Sequence, residues 1–194
     1  MVNYNINNVQ LKRFYSIDSL YFITSVTKDR KNIFTCKENI KILLNAFDLY
    51  RKKLQYKIIA YIILPNHFHC IIMPSSVANI SKIMQSIKGY SAREINKKCM
   101  IDNNNIVNST TEVVPTVVPT RVVSTKNKFV SIWQHQFLDH MIRKKEDYKQ
   151  HIEYIHFNPI KHKIVGEISD YPWSSYRNYY QNDDSILKID RLQF

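Results

Sequence analysis

An apolar run in the middle of the chain, residues 58–73, constrains the fold most strongly. Proline and asparagine interrupt it at positions 65 and 66, and isoleucines dominate its first half. Two apolar segments on either side of a tight break predict a pair of adjacent antiparallel strands, and the run is too short and too interrupted to span a bilayer. The second strand opens with His67-Phe68-His69. Because alternate side chains of a strand leave from one face, we expect both imidazoles to point into the same space.

The two histidines have two interpretations. One histidine on an apolar strand is usually a core residue whose ring nitrogens are hydrogen-bonded, and that interpretation stays open for His67 and His69 taken singly. Two imidazoles side by side suit the binding of a metal ion better than they suit a hydrophobic core.

A second segment, residues 147–157, predicts a helix. It contains neither glycine nor proline, and its apolar residues recur near helical spacing. We expect Pro159 to end or bend this helix, because proline disfavours the helical conformation in the residue before it. Tyr154 and Asn158 lie four residues apart and therefore on one helix face. An ordinary interpretation also exists, in which Tyr154 packs and Asn158 caps the helix end.

The order of the remaining segments predicts the fold class. Strand patterns cover residues 19–27, 56–64 and 67–73, with a fourth within 129–142, and helical patterns cover residues 37–54 and 80–98. The order β-α-β-β-α-β-α predicts an α+β protein with a ferredoxin-like split βαβ antiparallel sheet, helices on one face and an added C-terminal helix that bears the tyrosine.

Length and composition favour a single domain over residues 1–180. The chain has 194 residues, 44% of them hydrophobic, which is enough for a core without disulfides. Residues 102–128 are polar and carry a tandem Val-Val-Pro-Thr repeat, so we expect a flexible insertion there. Residues 181–194 are expected to form a polar tail.

The charge of the chain favours a polyanionic partner. There are 28 Lys and Arg against 16 Asp and Glu, a net charge of +12, and 13 tyrosines offer surfaces on which bases stack. A lysine-rich composition explains the same numbers without any partner. The candidate phosphate contacts, each weak on its own, are Arg51, Lys52, Lys53, Lys82, Lys88, Arg93, Arg143, Lys144 and Lys145.

Several classes of enzyme are excluded by what the chain lacks. Two glycines are too few for a phosphate-binding or dinucleotide-binding loop, and neither the HExxH nor the G-x-S-x-G motif occurs. The three cysteines form no paired zinc-binding motif. Reduced thiols and the absence of a secretory leader predict a cytoplasmic protein.

Four motifs together resemble those of the single-tyrosine HUH transposases, the IS200-like family, and within it the REP-associated tyrosine transposases. An H-x-H pattern alone is weak, but the ordered set of four is specific, and the resemblance covers most of the chain, from about residue 21 to residue 176. The motifs are LPNHFH at 64–69, WQHQFLDH at 133–140, HIEYIHFNPIKH at 151–162 and YPWSSY at 171–176.

This resemblance implies a fold, an activity and a site. It implies the HUH nuclease fold and a transposase that nicks and rejoins single-stranded DNA at imperfect hairpins or repeated palindromes. Tyr154 is then the nucleophile that forms a 5′-phosphotyrosine, and His67, His69 and Asn158 hold a divalent ion, Mg²⁺ or Mn²⁺. No membrane is implied, and the protein acts as a monomer or as a homodimer.

Alternatives remain at the level of the sequence. Tyr148 is a competing nucleophile on a different helix face. A non-catalytic module that binds single-stranded or hairpin DNA, and a phosphodiesterase that uses metal-activated water, share parts of the pattern. Asp139 and His140 match a family motif too, and strand-end packing, orientation of the site and direct chemistry all stay open for them. His135 and His156 are interpreted as ordinary histidines, and Trp133 and Trp173 as core residues.

Overall fold

The computed structural model describes residues 15–109 and 129–192, without the side chains of residues 101–109. Its strands are β1 (Leu20–Val26), β2 (Lys57–Leu64), β3 (His67–Met73) and β4 (Leu138–Ile142). Its α-helices are α1 (Lys37–Leu54), α2 (Ile80–Ser109), α3 (Lys145–Lys161) and the short α4 (Tyr176–Tyr180).

The four strands of the described residues form one antiparallel sheet in the order β2-β3-β1-β4. With α1 between β1 and β2 and α2 between β3 and β4, this is the ferredoxin-like arrangement that the sequence predicts. The hairpin of β2 and β3 turns at Pro65 and Asn66, with Leu64 opposite His67. Both the fold class and the strand pair are therefore confirmed.

The sheet has a different hydrophobic layer on each face. On one face, side chains such as Phe68, Cys70 and Ile72 form a core with residues of α1 and α2, among them Phe47 and Ile83. The opposite face carries a smaller cluster that includes Leu64, Ile71 and Ile142, and α3 covers it through Ile152 and Ile155. The tyrosine helix thus covers the face to which the histidines of β3 point.

Two helices extend further than the sequence predicts. The second helix was predicted to end at residue 98, but α2 continues to Ser109, so residues 102–109 of the predicted insertion are helical. Residues 110–128 lie outside the described residues. Pro159 does not end α3 either, since the helix continues through Lys161. Because proline has no N–H, Pro159 removes one main-chain hydrogen bond from the last turn of α3, and the helix ends two residues later.

The segment after Tyr180 is more than a polar tail. Leu187 and Ile189 are buried in the main core. The Asp190 N–H donates to the Ile58 carbonyl at 2.7 Å, and the Ile58 N–H donates to Asp190 Oδ2 at 2.9 Å. Earlier in the same C-terminal region, Trp173 and Ser175 make main-chain hydrogen bonds to β2. These contacts cover the outer edge of β2, which would otherwise offer free N–H and C=O groups to other chains.

Ile189→Ala should therefore destabilise the protein by about 2–3 kcal/mol, the usual loss when a buried aliphatic side chain is truncated. Lys188→Ala is the matched control, since Lys188 is exposed and contributes only its carbonyl to Arg51. Urea denaturation followed by circular dichroism measures both. Equal midpoints for the two variants would show that the C-terminal segment adds nothing to the core.

Candidate active site

The two histidines of β3 lie side by side on the sheet face that α3 covers. The ring centroids of His67 and His69 are 4.9 Å apart, with the rings nearly perpendicular. Residue alternation along β3 sends Phe68 to the opposite core, as a strand requires. The expectation that both imidazoles share one space is confirmed by this geometry.

Each imidazole has its Nδ1 atom fixed by a neighbour. His67 Nδ1 lies 2.6 Å from Asn66 Oδ1, and His69 Nδ1 lies 2.7 Å from Thr24 Oγ1. Because the amide oxygen only accepts, His67 Nδ1 donates, and its Nε2 keeps a lone pair. His69 Nε2 is buried and has no hydrogen-bond partner. A buried nitrogen without a hydrogen-bond partner is costly in a hydrophobic core. It is expected, however, for a histidine whose free nitrogen serves to bind a metal ion.

The surroundings keep both rings neutral. The pKa of His67 is lowered to about 4, mainly by burial and to a smaller extent by the nearby His162 and Arg30. Burial, followed by His67, His162 and Lys161, lowers the pKa of His69 to about 3. Neutral imidazole is the form that coordinates metal ions, so both rings are ready to act as ligands at neutral pH.

Helix α3 brings Tyr154 to the histidine pair. The helix forms on a segment with acidic residues in its first turn, and it buries Ile152 and Ile155 against the sheet. The Tyr154 ring lies 5.2 Å from the His69 ring at 71° and 5.9 Å from the Phe22 ring. Tyr154 nevertheless stays 37% exposed, so a large substrate can reach it.

Asn158 occupies the same face of α3 one turn later. It is fully buried, its Nδ2 lies 3.4 Å from the Tyr154 carbonyl oxygen, and its Oδ1 has no hydrogen-bond partner. Tyr154, one turn before it, contacts His69, and His162, one turn after it, has its ring 5.5 Å from that of His67. Along the helix, Asn158 therefore lies between two residues that touch the histidine pair.

The competing tyrosine lies elsewhere. Tyr148 packs in the smaller cluster, and its hydroxyl lies 3.0 Å from that of Tyr179. Tyr154, by contrast, is in ring contact with His69 of the pair. His156, predicted to be ordinary, is buried and hydrogen-bonded to Ser175, and Trp133 is a core residue as expected.

The basic residues singled out from the sequence fall into two groups. Six belong to α1 and α2, which cover the sheet face opposite the histidines: Arg51, Lys52, Lys53, Lys82, Lys88 and Arg93. Among these, Lys88 Nζ donates to the carbonyls of Gln134 and His135, and Arg51 pairs with Asp48. Lys88 and Arg51 therefore make contacts within the protein, which makes them weaker candidates for binding phosphate. Arg143, Lys144 and Lys145 are exposed where β4 joins α3, on the side of the tyrosine helix.

Several neighbours of the site were not predicted from the sequence. Thr24 and Phe22 come from β1, and Phe22 stacks on His69 with ring centroids 5.2 Å apart. Lys161 places its ammonium 5.0 Å from the centre of the Tyr154 ring. The alternation of β1 could have placed Phe22 and Thr24 on one face, but only the pairing of β1 with β3 puts that face beside His69.

No helix in residues 15–109 and 129–192 is both apolar and long enough to cross a bilayer.

Comparison with known proteins supports what the geometry indicates. The family model described as "Transposase IS200 like" matches residues 16–111. A Haemophilus influenzae protein classed as a REP-associated tyrosine transposase is 27% identical over 166 residues, which cover 85% of this chain and 84% of that protein. The REP-associated tyrosine transposase of Escherichia coli (strain K12) is 25% identical over 168 residues, covering 86% of this chain and 82% of that protein.

A solved structure shares the fold. It is that of a REP-associated tyrosine transposase bound to a REP hairpin, and it matches with a TM-score of 0.62 and 23% sequence identity over 94% of this chain and 93% of that chain. The sheet, the histidine pair and the facing tyrosine helix thus define a protein with the HUH nuclease fold. Over residues 16–111 the chain is similar to the IS200-like transposases, a family of DNA-cleaving and DNA-rejoining enzymes.

The buried histidines should make folding stability fall in mild acid. The pKa values of His67, His69 and His156 are lowered to about 4, about 3 and about 4, mainly by burial. An unfolded histidine titrates near pH 6.5, so below that pH the unfolded chain binds more protons than the native protein, and stability drops as pH falls. Urea midpoints measured in EDTA from pH 7.5 to pH 5 should decrease.

The double variant His67→Gln/His69→Gln removes two of these three groups. Its urea midpoint should fall less steeply over the same pH range. The reason is that unfolding of the variant takes up about two protons fewer at the lower end of that range. Identical slopes for the variant and the wild type would mean that the two rings are not held neutral in the native protein.

Proposed function

We propose that the protein is a transposase that cleaves and rejoins single-stranded DNA through a covalent bond to Tyr154. The contact between Tyr154 and His69, with ring centroids 5.2 Å apart, carries this proposal. It joins a nucleophile to a pair of neutral imidazoles within one chain. A pure binding module gives these residues no shared task.

The proposed reaction exchanges one phosphoester for another. The phenol oxygen of Tyr154 attacks phosphorus, the bond from phosphorus to the 3′ oxygen breaks, and that oxygen leaves as a 3′ hydroxyl carrying a proton. The 5′ phosphate stays on the tyrosine, so attack by a 3′ hydroxyl reverses the step and rejoins DNA without ATP. The Lys161 ammonium beside the Tyr154 ring supports the step, because a cation there favours the negative charge that develops on the phenol oxygen.

The residues of the site fit a divalent ion. His67 and His69 each have Nδ1 fixed by a neighbour, and Asn158 Oδ1 is a buried oxygen without a partner. We propose that the Nε2 atoms of these histidines and Oδ1 of Asn158 hold Mg²⁺ or Mn²⁺, and two nitrogen donors favour Mn²⁺. Such an ion supplies Lewis-acid polarisation of the phosphate.

The DNA partner is inferred from relatives and charge. A related transposase of the same fold has been solved with a REP hairpin, and we propose that this chain also takes imperfect DNA hairpins. A net charge of +12 supports a salt-dependent affinity for DNA. Since α3 covers its own sheet, one chain carries His67, His69 and Tyr154 together, which favours action as a monomer.

Tyr154→Phe should abolish cleavage and leave DNA binding unchanged. The phenyl ring keeps the packing against His69 and Phe22, and only the nucleophilic oxygen is lost. A panel of end-labelled hairpins with Mg²⁺ or Mn²⁺ is resolved on denaturing gels for adducts and on native gels for binding. Wild type should give a covalent protein–DNA adduct and the variant none.

Tyr148→Phe is the matched control, since it removes a phenol six residues, or about 1.7 turns, earlier on α3. It should keep the adduct. Cleavage without an adduct that persists in Tyr154→Phe would favour the phosphodiesterase with metal-activated water, and binding without cleavage by wild type would favour the binding module.

Thr24→Val should weaken the proposed metal site roughly tenfold to a hundredfold, the usual effect of losing the hydrogen bond that orients a ligating histidine. The valine methyl replaces the hydroxyl that lies 2.7 Å from His69 Nδ1. Thr24→Ser keeps the hydroxyl and should bind as wild type does. Titration with Mn²⁺ followed by electron paramagnetic resonance measures the affinity, and equal affinities for Val and Ser would exclude this role of Thr24.

A further inference from the structure

A second group of metal-ligating side chains lies where β4 meets α3. His140, Asp147 and His151 each offer one ligand atom, and these atoms lie within 4.8 Å of one another. His140 projects from β4 opposite Phe22, on the face that α3 covers. Asp147 and His151 are four residues apart on α3 and share one helix face. Two different elements therefore bring the three side chains together.

The carboxylate already holds both imidazoles. His140 Nε2 lies 2.9 Å from Asp147 Oδ2, and His151 Nδ1 lies 2.9 Å from Asp147 Oδ1. The two imidazole rings stack with centroids 5.0 Å apart and an angle of 18°. His151 is also held through Nδ1 by the Asp147 carbonyl oxygen at 2.8 Å. These contacts fix the donor groups in the absence of an ion.

We propose that His140, Asp147 and His151 bind a divalent transition-metal ion, with Zn²⁺ as the best fit. Two imidazole nitrogens and one carboxylate oxygen form a donor set typical of zinc sites that keep an open position. Ligands of one tetrahedral zinc ion lie about 3.4 Å apart at bond lengths near 2.1 Å. The His140 side chain is 53% exposed, so it can turn to close the remaining distance. Mg²⁺ prefers oxygen donors and fits this set poorly.

This second site is separate from the histidine pair. The Phe22 ring lies between them, stacked on His69 with centroids 5.2 Å apart and touching His151 at 4.4 Å. An apolar ring between the two groups of ligands keeps them from sharing one ion. Two ions can therefore be bound and counted independently.

An ion at this site would act on the region around Tyr154. A cleft of about 260 Å³ is lined by Phe22, Gln150, His151 and Tyr154. An ion on His151 adds positive charge at this cleft, where a DNA phosphate next to the one attacked would gain from it. It also ties β4 to the first turns of the helix that carries Tyr154. The role toward DNA rests on the proposed function, whereas binding of the ion does not.

The test counts Zn²⁺ ions in tag-free protein that has first been stripped with a chelator. After incubation with Zn²⁺ and gel filtration, elemental analysis should find two ions in the wild type. It should find one in His67→Ala/His69→Ala, one in His140→Ala/His151→Ala and none when all four are replaced. His135→Ala removes an exposed histidine outside both groups and should retain two ions.

A milder variant guards against loss of folding. Asp147→Asn keeps the shape of the side chain and removes its charge, so it should lower the affinity of one of the two ions at least tenfold in calorimetric titration. The proposal is overturned if His140→Ala/His151→Ala and Asp147→Asn bind Zn²⁺ as the wild type does, or if the wild type binds one ion that His67→Ala/His69→Ala abolishes. The cluster would then be a hydrogen-bonded link between β4 and α3. Neither result depends on whether Tyr154 forms an adduct.

Discussion

The pairing of β1 with β3 is the constraint on which the site depends. Its register sets Thr24 opposite His69 and Phe22 opposite Ile71, so one strand supplies the hydrogen bond and the stacking ring for a histidine on the other. A shift by one residue would turn the two imidazoles into the main core and Phe68 toward α3. The large apolar side chains on the opposite face of β3, Phe68 and Ile72 among them, make that shift costly. The hydrophobic core thus fixes the chemistry on the other side of the same sheet.

The second constraint is the packing of α3 on the sheet. Ile152 and Ile155 are buried between the helix and residues such as Leu64, and this contact fixes how α3 presents the residues beside them to the sheet. Tyr154 and His162 then meet the two imidazoles, with Asn158 buried between them. The C-terminal segment seals the outer edge of β2. Stability and site geometry therefore rest on the same apolar contacts.

The electrostatics of this face are unusual for so basic a chain. Burial keeps His67 and His69 neutral, the nearby His162 lowers the pKa of both further, and Lys161 adds to the effect on His69. Near Arg143 the surroundings of the imidazoles differ, because the negatively charged Asp147 carboxylate lies between His140 and His151. Burial alone would raise the pKa of Asp147, but the hydrogen bonds from His140 and the Arg143 N–H lower it. The two proposed cation sites therefore differ in charge. The first offers neutral imidazole nitrogens, and the second offers a carboxylate between two imidazoles.

The sequence by itself determined the fold class, the strand pair around Pro65 and Asn66, and the presence of His67 and His69 on one face. These features follow from local periodicity and from the Pro65-Asn66 break, which predicts a turn between two strands. Tyr154 and Asn158 were placed on one helix face for the same reason, and the family resemblance supplied their proposed roles. Tertiary structure alone decided that α3 covers the histidine face of its own sheet, that Lys88 and Arg51 are occupied within the protein, and that Thr24, Phe22 and Lys161 surround the site. It also brought His140 to Asp147 and His151. Such contacts join residues far apart in the chain, and periodicity carries no information about which distant elements pack together.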